Sequence, residues 1–227
     1  MLASFAPLAR RAALLVALAA PALAADVYVV HGIPGADLGL DPALAVDVDA
    51  DGAPALTDFE FGDVAGPLDL ATGEHVFEVR LAGDPTVVAT ARLQLGLNET
   101  AVIVASRDAN GTIQLSKFTV DTSALDAGQA RLAVAHAARL APVDVTAKGT
   151  DGTKGGARIK ALPNGASSLA ADVAEGTWKF TIKAAGIKGS VAVLDDVAIA
   201  GNVLLVAVGS LEAETFTVIP VSIQIDV

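Results

Sequence analysis

Five segments of this chain recur in the same order, and that internal repeat limits the fold more than any other feature. Val27-Tyr-Val-Val-His31 lies over Leu132-Ala-Val-Ala-His136, and Val46-Asp47-Val48 lies over Val143-Asp144-Val145. Gly73 to Val79 lies over Gly176 to Ile182, Val102 to Ser106 over Val206 to Ser210, and Phe118-Thr-Val120 over Phe216-Thr-Val218. The chain reads as a duplication, so whatever folds one copy folds the other.

The repeated segments read as strands. His75, Phe77, Val79 and Leu81 share one parity while Glu74, Glu78 and Arg80 take the other, the two-residue period of a half-buried strand. Trp178, Phe180 and Ile182 alternate in the same way with Thr177, Lys179, Thr181 and Lys183. Asn110-Gly111 between two apolar runs marks a hairpin, since both residues tolerate positive φ. The expected fold is all-β: two tandem antiparallel β-sandwich domains of immunoglobulin-like type, each of about seven strands. Residues 25–120 form the first copy, 121–129 a linker and 130–227 the second copy. So short a linker sets the domains end to end, each with a core of its own and able to fold alone. Trp178 is expected inside the second core.

Residues 1–24 read as a signal peptide, with Arg10 and Arg11 before an apolar run from Ala12 to Ala20 and Ala22-Leu23-Ala24 as the cleavage signal. Export to the periplasm or the extracellular space is the expectation. The two arginines leave with it, so the mature chain carries 13 basic and 26 acidic residues, which disfavours nucleic acid and anionic lipid as partners. No later apolar run reaches the length of a membrane span, so no membrane insertion is expected of the mature chain. With no cysteine, stability has to come from packing. Only 4% of residues are aromatic, which argues against a carbohydrate-stacking platform.

A strand ending in His, a Pro-containing loop, Val-Asp-Val, and a Gly-led alternating strand together resemble the secreted bacterial repeat family known as domain of unknown function forty-three ninety-seven. The second copy carries this as His136-Ala137 through Ala141-Pro142-Val143-Asp144-Val145, and the first as His31-Gly-Ile-Pro34 with Val46-Asp47-Val48. The first copy departs by a longer loop, Gly35 to Ala45. The resemblance implies two tandem copies of that domain, an envelope or extracellular location, and no established catalysis.

Few residues offer chemistry. His31 and His136 occupy equivalent strand ends, and a histidine repeated in both copies is more simply a folding position than a catalyst. The sharpest motif is Asp47-Val-Asp49-Ala-Asp51-Gly52 with Asp58 beyond, whose spacing resembles a calcium loop, so Asp47, Asp49, Asp51 and Asp58 are the candidate metal ligands and calcium the candidate cofactor. Asp replaces the usual bidentate Glu, Pro54 interrupts the loop, and Asp51-Gly52 equally well turns a hairpin. No catalytic residue is assigned.

Charge separates the copies. Residues 26–120 hold 15 acidic and 4 basic side chains, whereas residues 129–227 hold 9 of each. Lys148, Lys154, Arg158 and Lys160 crowd one Gly-rich stretch of the second copy. The function expected is a non-enzymatic exported structural or protein-binding module of the cell envelope or extracellular matrix, with a protein partner or self-association through complementary ends. A calcium-dependent adhesion module is the alternative, and a hydrolase with an unrecognised site comes last.

Overall fold

A computed structural model describes residues 24–224, so the expected signal peptide lies outside the described residues except for Ala24. The first half holds β1 (Ala24–His31), β2 (Val46–Ala50), β3 (Ala53–Phe59), β4 (Val64–Ala71), β5 (Gly73–Leu81), β6 (Val87–Leu95), β7 (Thr100–Arg107) and β8 (Ile113–Val120). The second holds β9 (Gln129–His136), β10 (Val143–Gly149), β11 (Gly156–Leu162), β12 (Ala166–Ser167), β13 (Ala171–Ala174), β14 (Gly176–Ala184), β15 (Ala192–Ile199), β16 (Asn202–Val208) and β17 (Thr217–Ile223). Asp51 and Gly52 both take positive φ and turn the tight β2–β3 hairpin.

Each half is a two-sheet sandwich with the same strand order. The outer sheets run β3-β2-β5-β6 and β11-β10-β14-β15; the inner sheets run β4-β1-β7-β8 and β12-β9-β16-β17, with β13 also on β9. β12 and β13 together stand where β4 stands in the first half. The inner sheets are mixed, because β1 pairs in parallel with β7 and β9 in parallel with β16. Eight strand positions in each half and these parallel pairs refine the expected antiparallel sandwich of seven.

The pairing also corrects the repeat. His31 stands opposite Ala105 and His136 opposite Ala207, so Ala105 matches Ala207 rather than Gly209. The Val102 to Ser106 match is thus displaced by two residues, an even step that leaves inward and outward parity unchanged. Phe118, by contrast, stands opposite Val102 and Val221 opposite Leu204, so Phe118 matches Val221 rather than Phe216, an odd step that changes the face.

The halves do not sit end to end with separate cores. Val27, Val29 and Ile103 pack against Val46, Val48 and Phe77 in one core, and Leu132, Val134 and Leu205 pack with Val145, Trp178 and Phe180 in another. A third core lies between the inner sheets, where Tyr28, Val30, Val102 and Val104 meet Leu204, Val206, Ile219 and Val221. The molecule is therefore four layers deep. The physical reason lies in the inner strands: β7 and β16 are buried at nearly every position and carry unbroken apolar runs, and a strand apolar on both faces needs cover on both. Each fully buried Val, Leu or Ile contributes roughly 1.5–3 kcal/mol, so leaving that face in water outweighs the cost of ordering a linker.

Polar contacts lock the halves together. In the long first-half loop, Asp37 accepts hydrogen bonds from Ser210 Oγ at 3.0 Å and Thr215 Oγ1 at 2.7 Å. Asn164 Nδ2 donates to the carbonyl of Arg107 at 3.4 Å, and Gln224 N–H donates to Tyr28 Oη at 2.9 Å. The extra loop that set the first copy apart is a clasp.

Candidate functional site

The acidic segment follows β2 into its turn. Asp47 and Asp49 alternate with the core residues Val46 and Val48, so they project from the outer sheet. The carboxylates of Asp47, Asp49 and Asp51 already have partners within the chain. Asp47 Oδ1 accepts from the Asp58 N–H at 3.1 Å, Asp49 pairs with Arg80, and Asp51 accepts from the Val76 N–H at 2.8 Å and meets His75 Nδ1 at 2.6 Å. Those contacts, the Val76 N–H first and His75 second, hold the Asp51 carboxyl below its ordinary range. Asp58 sits at positive φ in β3. The structure does not bring Asp47, Asp49, Asp51 and Asp58 together, and among the described residues no three His, Asp or Glu side chains converge on a metal position.

His75 and Trp178 occupy the same place in the two halves and make the same bond. His75 Nε2 meets the Ala71 carbonyl at 2.6 Å, and Trp178 Nε1 donates to the Ala174 carbonyl at 3.1 Å, four residues back in each case. Trp178 is 1% exposed, as its parity predicts. Either side chain thus ties the strand to the one before it.

His31 and His136 are sealed inside, 1% and 0% exposed. The Ile33 N–H donates to His31 Nδ1 at 3.3 Å, and the ring lies stacked against Phe59. Burial pushes the His31 imidazole down to about 4, with the Leu44 main chain and Asp63 acting more weakly the other way. His136 Nε2 donates to the Ala141 carbonyl at 3.3 Å, and burial lowers it too. Both rings are neutral packing elements that fix the start of the loop after β1 or β9.

The second half turns a basic face outward. Lys148 projects from β10, Arg158 and Lys160 from β11, and Lys179 and Lys183 from β14, each on the parity opposite the core residues of its strand. Lys179 pairs with Asp195 at 2.6 Å, while Lys148, Arg158, Lys160 and Lys183 have no ion pair among the described residues. On the first outer sheet both arginines are consumed internally, Arg80 by Asp49 and Glu78 and Arg92 by Glu74. The two ends of the stack therefore differ in sign.

With this architecture, a sequence profile described only as domain of unknown function DUF4397 matches residues 25–146. The chain belongs to this family. The DUF4397 match runs from β1 through all of the first sandwich and into β10, where the second Val-Asp-Val lies. No curated protein matches the chain by sequence. Among solved structures, the Bacillus anthracis TIE protein aligns at 12% identity and a TM-score of 0.26, over 82% of this chain and 34% of that one. The chain spans about a third of that protein's length.

Two features escaped the sequence reading. One is the third core, whose signal was present in the unbroken apolar runs of β7 and β16 as against the alternation of β5 and β14. The other is the break between β12 and β13, which leaves Leu169 94% exposed. No helix among the described residues is long and apolar enough to cross a membrane.

Proposed function

We propose that this DUF4397 protein is a non-enzymatic, exported structural or binding module that works at the cell envelope or in the extracellular matrix and associates with itself head to tail. The observation that carries this reading is the four-layer stack with an acidic outer sheet at one end and, at the other, a basic outer sheet with four cations unpaired among the described residues. Such ends are complementary but not identical. A contact between them is heterologous, so it repeats from copy to copy instead of closing into a dimer. Burial of His31 and His136 supports a scaffold in preference to a catalyst, because a proton-transfer residue has to reach its substrate. Release from the cell is supported by the N-terminal Arg-Arg, apolar run and Ala-Leu-Ala pattern.

Sedimentation velocity over a concentration series tests the association. The average mass should rise with concentration at low salt and fall as salt rises, since exposed charges interact over roughly 8–10 Å at physiological ionic strength. Replacing Lys148, Lys154, Arg158 and Lys160 together by Glu should abolish the rise. A strict monomer at high concentration and low salt would end this reading.

A further inference from the structure

A groove of about 480 Å3 runs along one side of the second sandwich, between β11 and the broken strand β12/β13, with Leu132, Ile159 and Leu162 among its lining residues. That volume lies within the range of ligand clefts. The first half shows what makes it. There β4 pairs with β1 from end to end, and Leu68 stands opposite Val27 and packs on the core. In the second half Ala171 stands opposite Leu132, the residue that matches Val27, and the missing side-chain carbons leave open space. Between β12 and β13 the chain swings outward: Ser168 satisfies the main chain of Val134 with its own N–H at 2.8 Å and its Oγ at 3.1 Å, and Leu169 stands in solvent on the lip.

The groove has a free strand edge and a charge. β11 has β10 on one side and is the last strand of its sheet, so its other edge offers main-chain groups. Arg158 and Lys160 project from its outer face while Ile159 turns inward.

We propose that this groove takes an extended peptide whose residues alternate between apolar and acidic, added as a further strand to the free edge of β11. Successive side chains of such a strand point to opposite faces. One set enters the groove beside Leu132 and Ile159, and the other lies on the outer face as cross-strand neighbours of Arg158 and Lys160. The inference rests on reading the protein as a binding module and names the chemistry of a partner. That partner is a segment of a different protein. The matching edge in this chain, β3, carries Pro54, which lacks an N–H and so spoils it for edge pairing.

Fluorescence anisotropy with a labelled synthetic peptide of alternating Val and Glu tests the proposal on the full mature chain. Saturable binding is expected, at least about tenfold tighter than to the Val and Lys counterpart. Ala171→Leu restores the filling found in the first half and should weaken binding about tenfold or more while circular dichroism stays that of the parent. Arg158→Glu with Lys160→Glu should reverse the preference between the two peptides. Equal binding of both peptides, binding indifferent to Ala171→Leu, or none up to millimolar peptide would each overturn the groove assignment. Because Ala171→Leu leaves both outer faces intact, its sedimentation should match the parent's. In the parent protein, no peptide binding with self-association intact defeats the groove alone, and peptide binding by a strict monomer defeats head-to-tail association alone.

Discussion

The two halves share a strand order element for element, yet they present different chemistry to solvent. In the first half an unbroken β4 seals the side of the sandwich, and the outer sheet pairs its two arginines with its own carboxylates. In the second half that strand is split around Leu169, and the outer sheet leaves Lys148, Arg158, Lys160 and Lys183 without an ion pair among the described residues. The difference teaches which positions a β duplication holds fixed. Inward parity is the same in both halves because one core geometry has to be filled twice, whereas outward parity and edge continuity are free to acquire a role.

The largest expected effect strikes what the halves have in common. Val206→Asp places an unpaired charge in the middle core and should destabilise the whole chain by about 4 kcal/mol or more, read as a shift of the urea midpoint. A loss confined to signals from the second half would show that the halves are independent.

Trp178 and His75 sharpen the comparison, since they fill one position with different chemistry. Trp178→Ala should cost about 3–5 kcal/mol, the usual range for a buried large aromatic. His75→Ala should cost about 1–3 kcal/mol, mainly lost hydrogen bonds to Asp51 and Ala71. Equal costs from denaturant unfolding would mean that the first half does not use the lighter side chain as described.

The histidines at the equivalent strand ends give a pH test. His31 is held at about 4 in the fold against 6.5 when free, so between those values the unfolded chain binds the extra proton and the fold does not. Stability therefore rises with pH across that window, is complete above about 6.5, and falls by about 3 kcal/mol on acidification to about 4. His31→Gln should flatten the slope of stability against pH over that interval. An unchanged slope would assign the acid sensitivity elsewhere.

The smallest effect concerns the acidic stretch of the first half. The carboxylates of Asp47, Asp49 and Asp51 are engaged by Arg80, His75 and the main-chain N–H groups of Val76 and Asp58, so millimolar calcium should leave the melting temperature within error of the calcium-free value. A clear rise abolished by Asp49→Ala would revive the adhesion reading.

Much of this was legible before any coordinates. The alternation in β5 and β14, the Asp51-Gly52 turn and the burial of Trp178 follow from parity and turn chemistry alone. The face-to-face stack did not emerge, although β1, β7 and β16 carry continuous apolar runs, because such a run fits a strand in one buried core as well as a strand between two. The role of the Gly35 to Ala45 loop was hidden for a different reason. Asp37 finds its partners at Ser210 and Thr215, far along the chain, and local pattern does not encode such a pairing. The groove depends on one Leu-to-Ala difference, Leu68 against Ala171, that becomes visible only once β4 and β13 are aligned through their partners.

The central claim is that a shared middle core makes the two sandwiches one cooperative unit. Hydrogen exchange of the intact mature chain, followed by mass spectrometry at increasing urea below the unfolding midpoint, tests it most directly in β7 and β16, the inner strands on either side of that core. The account predicts that amides of both strands belong to the slowest class and merge into one opening with a common free energy and urea dependence. Contradiction would come from β7 opening at lower urea while β16 stays protected, or the reverse, since each sandwich would then unfold alone.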